Sequence, residues 1–177
     1  MRVISGKFKR KKILTPVDNH IRPTADKQRE ALFHILAHWV IDADVLDLFA
    51  GTGAMGIEAL SRGAKAVTFI DKNTRLIKKN INHFNVQCKT NVIQWDIFRN
   101  LRCIRGQLFD LILIDPPYHH DHVGKTLSHI AKIQCFHENT IIVAEHACDE
   151  NIVLPDKFKQ LDCRRYGKTQ FSFFDIH

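Results

Sequence analysis

Residues 44–56 read DVLDLFAGTGAMG. The apolar run after Asp44 predicts a buried strand over 44–49. It leads straight into Gly51, Gly53 and Gly56, a G-x-G-x-x-G spacing. AMGIEALSRG (54–63) then predicts a helix stopped by Gly63. Glycines at these points let the chain turn tightly and let a ligand approach the backbone. Asp71 closes a second predicted strand, AVTFID, twenty residues past Gly51. A carboxylate there can accept hydrogen bonds from ribose hydroxyls. The order strand, glycine loop, helix, strand, acid predicts a nucleotide-type ligand without saying which one.

Working outward, the alternation continues. Residues 73–84 predict a helix with Leu76, Ile77, Asn80, Ile81 and Phe84 along one side. NVIQW (91–95), DLILI (110–114) and TIIVAEH (140–146) predict three more strands, with a helix over 122–133. LDCRRYGKTQFSFFD (161–175) predicts two strands turning near Gly167. Upstream, RVISGKFKRKKIL (2–14) predicts a short hairpin with Gly6 near its turn, and NHIRPT (19–24) a loop. Thr24 is a candidate N-cap for a helix burying Leu32, Ile35, Leu36 and Trp39. The expected architecture is α/β: a doubly wound, mostly parallel seven-stranded sheet, Rossmann-like, with a C-terminal antiparallel hairpin. Residues 1–20 are expected to form a basic β-hairpin extension, and 21–177 the main domain.

The 177 residues carry a net charge of +7, which favours a polyanionic partner. Six of the first twelve residues are Lys or Arg and none is acidic. Phe8 sits among them, and the stretch Lys7, Lys9, Arg10, Lys11, Lys12 predicts phosphate contacts. The five cysteines lack C-x-x-C spacing and are odd in number, against a zinc site or disulfide framework. With no signal-peptide pattern and no run long enough to span a bilayer, the expectation is a cytoplasmic protein without a membrane or metal partner.

FDLILIDPPYHH (109–120) ends its buried strand in Asp115, Pro116, Pro117 and Tyr118. The open edge above the strand carboxy ends is where α/β sheets bind ligands. An exocyclic amino group on a nucleobase is a poor nucleophile, because its lone pair is delocalised into the ring. A carboxylate and a carbonyl accepting from its two N–H groups localise that pair. Two proline rings preorganise the Pro116 carbonyl, and Tyr118 offers a face for a flipped base. Asp96, in QWDIF (94–98), can accept from an adenine amino group or cap a helix.

On these motifs the chain resembles the bacterial 16S ribosomal RNA (guanine-N2)-methyltransferases. DPPY matches the [DN]-P-P-[FYW] signature of amino-group methyltransferases that use S-adenosylmethionine, and DLFAGTGAMGIEALSRGA is similar to that superfamily's first motif. The likeness extends over MRVISGKFKRKKIL, IRPTADKQREALFHIL, AEH and YGKTQFSFF. One departure is KRKK, where relatives often have a second glycine. The resemblance implies S-adenosylmethionine as cofactor and 16S ribosomal RNA, within the small subunit, as partner of a monomeric enzyme. It implies that Gly51, Thr52, Gly53 and Gly56 line the methionine part and that Phe49 and Ala50 also bind the cofactor. Asp71 then binds the ribose, Lys72 also contacts the cofactor, and Asp96 and Ile97 flank the adenine. Asp47 orients the cofactor's amino group through water. Asp115, Pro116, Pro117 and Tyr118 become the catalytic set, Arg22 an RNA contact, and Arg22, Thr24 and Arg29 a segment closing over the site.

Three rivals fit part of the pattern: a DNA adenine-N6 or cytosine-N4 methyltransferase, a nicotinamide-dependent oxidoreductase, and a non-catalytic RNA-binding protein. The first lacks room for a DNA-recognition domain, and the second leaves Asp115–Tyr118 unused. HHDH (119–122) reads as a solvent-facing loop, since no acid or cysteine cluster completes a metal site. Glu145 and His146 are candidate bases that the chemistry does not require.

Overall fold

The computed structural model describes the backbone of residues 1–16 and 23–176, and the side chains of 1–16 and 26–176. Seven strands form one sheet: β1 (Asp44–Leu48), β2 (Ala66–Asp71), β3 (Thr90–Gln94), β4 (Phe109–Ile114), β5 (Phe136–Ala147), β6 (Phe158–Tyr166) and β7 (Thr169–Ile176). Their order is β3-β2-β1-β4-β5-β7-β6. The first five are parallel, and β7 pairs antiparallel with both β5 and β6. Five helices are described: α1 (Pro23–Ile35), α2 (Ala37–Val40), α3 (Ala54–Ser61), α4 (Arg75–Phe84) and α5 (His122–Ile133). The chain order reverses between β1 and β4, which opens a crevice at their carboxy ends.

Successive residues of a strand face opposite sides of a sheet. Val45, Val67, Phe69, Leu111, Leu113 and Val143 therefore pack in one core with α1 to α4. Leu46, Leu48, Ile70, Ile112, Ile114, Ile142 and Ala144 pack in the other with α5 and the 97–104 segment. This parity has a consequence at the carboxy edge. Asp47, Asp71, Asp115 and Glu145 occupy positions of the first set, so four carboxylates approach one face of four neighbouring strands.

The structure adjusts five local expectations. The N-terminal hairpin is short: its arms meet at the Arg2–Lys12 bridge and through backbone hydrogen bonds from Val3 N–H to Lys11 (3.0 Å), Arg10 N–H to Val3 (2.8 Å) and Ile13 N–H to Met1 (3.1 Å), around a 3-10 turn at Gly6–Phe8. The backbone groups around the turn are diverted to α3: Ile4 and Ser5 donate to Glu58 (2.8 and 3.1 Å), and Phe8 to the Ser61 hydroxyl (2.9 Å). Phe49 lies outside β1 with φ +61°, because the chain turns there toward the glycine loop. Thr24 falls inside α1 rather than capping it, with Pro23 supplying a fixed φ at the start. No helix follows Asp96; its carboxylate accepts from the Phe98 N–H (3.2 Å) in a tight turn instead. Strand β5 also begins earlier than residue 140, since Thr140 donates to the Phe109 carbonyl and holds the shifted register together. Arg22, and the 19–22 part of the expected loop, lie outside the described residues.

Residues 1–14 are bound into the core through Val3 and Ile13, both buried. Asn80 of α4, fully buried, ties this segment to the glycine loop. It accepts from Leu14 N–H (2.7 Å) and donates to the carbonyls of Leu14 (2.9 Å) and Thr52 (2.8 Å). Asn80→Ala orphans those three backbone groups. It should destabilise the protein by about 2–4 kcal/mol, measured as a lowered urea midpoint at unchanged m-value.

Candidate active site

The glycine loop is shaped from below. Gly53 takes φ +77° at the amino end of α3. Gly56 lies against Phe69 and Val67, where a Cβ would overlap both side chains, so the third glycine serves close helix–strand packing. Its N–H donates to Asp47 Oδ2 (2.9 Å). Asp71 Oδ2 accepts from Gly51 N–H (2.8 Å), and its other oxygen from Asn73 N–H (2.8 Å). The two acids thus hold the loop at both of its shoulders.

Two neighbouring cavities, both lined by Phe49 and Asp115, flank this loop. The larger, about 410 Å³, is walled by Phe49, Trp95, Ile97, Phe98, Pro116 and Pro117 and carries Asp71, Lys72, Asp96 and Asp115 at its polar positions. Flat apolar walls with a few acids suit a nucleoside. Asp96 is paired with Lys72 (3.2 Å) and Arg99 (3.5 Å). The second, about 200 Å³, is lined by Phe49, Ala50, Gly51, Thr52, Asp47, Asp115, Glu145, Arg29 and neighbours. The predicted cofactor and strand-end residues border these two cavities with three exceptions: Gly53 and Gly56 support the loop beneath them, and Tyr118 lines a separate groove.

The electrostatics are unusual for a phosphate site. Burial pushes the Asp47 carboxyl up to about 7, against the Gly56 hydrogen bond, with the Asp71 charge adding to the rise. Asp115 is pushed well above the usual range, first by burial and then by the charges of Glu145 and Asp47. Glu145 is raised by burial, opposed by its bond from Tyr118. Such a cluster disfavours a pyrophosphate and suits a cation. A sulfonium amino acid with a ribose and an adenine meets each requirement. Arg29, buried, donates to Arg2 O (2.6 Å) and Asp26 (3.1 Å), and its Nε has no hydrogen-bond acceptor among the described residues. That Nε lies 3.8 Å from Glu58 Oε2, and the side chain borders the smaller cavity.

Tyr118 is pinned by its hydroxyl, which bonds Glu145 Oε1 (2.8 Å) and Thr169 Oγ1 (2.9 Å). Burial first, and then the acids beside it, raise its pKa far above the usual phenol range. His146 points away from the cavities. Its ring bonds the Ala147 carbonyl and the Ser172 hydroxyl (both 2.9 Å), and burial lowers its pKa, so it serves the core. A third and wider groove of about 880 Å³ continues from Tyr118 and Glu145 to Arg165, Tyr166 and Lys168 on the β6–β7 hairpin.

The basic turn is not part of this constellation. Phe8 is held by Ser61 and Lys11 by the His83 carbonyl (2.6 Å), at the carboxy ends of α3 and α4. Helices here run opposite to the strands, so that edge is the one farthest from the cavities. Lys11 also stacks on Phe84 at 4.7 Å, which leaves Lys7, Lys9, Arg10 and Lys12 as the exposed cations of the turn.

Sequence reasoning missed Trp95, Phe98 and the Tyr118–Glu145 link. The aromatic residues on both sides of Asp96 were the available signal for the first two. The last joins residues 27 apart in sequence and carried no signal.

Sheet order, glycine loop and strand-end acids together define the class I S-adenosylmethionine-dependent methyltransferase fold. Within that class, the chain belongs to the family described as conserved hypothetical protein 95, whose profile matches residues 1–175. It is 36% identical over 160 residues to ribosomal RNA small subunit methyltransferase D of Buchnera aphidicola from Acyrthosiphon pisum, covering 86% of this chain and 81% of that one. The Haemophilus influenzae protein of the same name is 28% identical over 181 residues, covering 98% and 93%. A solved Escherichia coli chain described as a candidate methyltransferase, yhhF, superposes with a TM-score of 0.88 at 26% identity, over 99% of this chain and 97% of that one.

The raised Asp47 pKa sets a testable linkage. A carboxyl protonated more readily when folded loses stability as pH rises from its unfolded value to its folded one. Asp47→Asn keeps an acceptor for Gly56 and removes that loss. Its stability advantage over the parent should grow by about 2–3 kcal/mol between about pH 5 and pH 8, followed by chemical denaturation at each pH.

Proposed function

We propose that this chain transfers a methyl group from S-adenosylmethionine to the exocyclic N2 of one guanine in 16S ribosomal RNA of the small subunit. The observation that carries the reading is the half-buried Asp115, followed by two prolines and a pinned Tyr118, facing the glycine loop across the β1–β4 crevice. The relatives named for small-subunit ribosomal RNA methylation support the RNA class. S-adenosylmethionine supplies an electrophilic methyl group. Its adenosine fits the apolar cavity, where Asp71 accepts from the ribose and Asp96 lies beside Trp95 and Phe98. Asp47 would hold its amino group and Arg29 its carboxylate.

Asp115 and the Pro116 carbonyl accept from the two N–H groups of the target amine and aim its lone pair. The nitrogen bonds the methyl carbon as the carbon–sulfur bond breaks, and the sulfonium becomes a neutral thioether. One proton then leaves the nitrogen, and the raised pKa of Asp115 lets it hold that proton. Most of the acceleration comes from positioning and from aimed acceptors. The enzyme acts as a cytoplasmic monomer. Residues 1–20, as an extension to the catalytic domain of 21–177, carry the exposed cations to RNA phosphates remote from the reacting base.

Mass mapping of methylated nucleosides in 16S RNA, with and without the protein, should show one additional N2-methylguanine. Methyl groups on adenine N6 or cytosine N4, or none, would contradict the reading. The two halves of the site should also separate. Asp115→Ala should lower single-turnover methyl transfer about 100–1,000-fold, by analogy with loss of an oxyanion-hole donor, while cofactor Kd stays nearly constant. Asp71→Ala should weaken cofactor binding about 10–150-fold, with a smaller loss of turnover at saturating cofactor.

A further inference from the structure

Asp115 and Glu145 stand one residue beyond the parallel pair Ile114 and Ala144, so they are neighbours across β4 and β5 on the same face. Both line the smaller cavity, and Glu145 also lines the wide groove. It therefore sits where a base entering from the groove meets the reacting centre. Tyr118 fixes Glu145 Oε1 at 2.8 Å, while Oε2 has no hydrogen-bond partner among the described residues. An acceptor held in place at this junction, with one oxygen open, is a reading device for a donor edge.

Nucleobases differ beside their exocyclic amine. In guanine, N1 carries a hydrogen next to the N2 amine. In adenine and cytosine the ring nitrogen next to the amine is a bare acceptor. Asp115 and the Pro116 carbonyl serve the amine alone and accept equally from all three bases. A second carboxylate at the adjacent ring position accepts from N1–H and repels a ring lone pair. We propose that Glu145 is the specificity-determining residue that selects guanine by accepting its N1–H. The inference rests on the guanine-N2 reading above and deepens it. It also gives the Tyr118 hydroxyl a second task, because the bond that pins the ring orients the reading carboxylate.

The test uses small-subunit RNA carrying guanine or 2-aminopurine at the mapped position. 2-Aminopurine keeps the N2 amine and lacks N1–H. The full-length protein should methylate guanine about 10–150-fold faster in single turnover, the span expected for one hydrogen bond to a charged group. Glu145→Gln keeps an oxygen for Tyr118 and turns its amide N–H toward the ring. Its ratio should fall to about one or below, mainly through slower guanine methylation. A variant that folds and keeps the parent ratio overturns the proposal. So does a parent enzyme that methylates both bases within about threefold, a result that does not depend on the variant folding. If mapping finds no methylated guanine at all, the functional reading fails and takes this inference with it. Guanine methylation with an unmoved ratio sinks the inference alone.

Discussion

The bond from the Gly56 amide to the buried Asp47 carboxylate is the contact on which the rest of the site depends. It fixes the first turn of α3 against β1 and so shapes the glycine loop between them. Gly56 can lie there only because it has no Cβ to meet Phe69 and Val67. The same bond retains an acid in a place that penalises its charge, with a pKa near 7. A hydrophobic residue at that position would pack more comfortably. An acid kept at a cost to the fold is spent on ligand electrostatics.

The cost recurs along the edge. Asp71, Asp115 and Glu145 join Asp47 because strand parity sends alternate residues to one face, and the parallel register aligns the strand ends. Burial raises the cost of ionising Asp47, Asp115 and Glu145, and at Asp115 the charges of Glu145 and Asp47 add to it. A cationic ligand relieves this repulsion and returns the acids to their accepting form. Loading the site and arming the acceptor are thus one electrostatic event. A pyrophosphate would add to the repulsion, which is why the G-x-G-x-x-G spacing here serves a different ligand from the dinucleotides that share it.

Much of this was legible in the residues. The glycine loop, Asp71, and the acid and prolines after β4 lie within single runs whose period and turn chemistry are local, and the structure places them around one crevice. The failures were non-local. The expected hairpin at 2–14 pairs only near its ends, and Glu58 and Ser61, more than fifty residues on, hold the backbone donors around its turn. Asn80 was read as one side of an amphipathic helix, and only the fold shows it tying Leu14 to Thr52. The basic turn was legible as charge but not as place, since its distance from the cavities follows from helix direction. His146 and Glu145 are adjacent in sequence, and strand alternation sends one to the core and the other to the groove.

The cleft is built for a positive charge. Calorimetric titration with S-adenosylmethionine and with S-adenosylhomocysteine near pH 7, in buffers of differing ionisation enthalpy, tests it most directly. The ligands differ by one methyl group and one unit of charge at sulfur. The sulfonium ligand should expel more protons on binding than the neutral thioether, because it lowers the raised pKa values of Asp47 and Asp115. Equal proton release by the two ligands would contradict it.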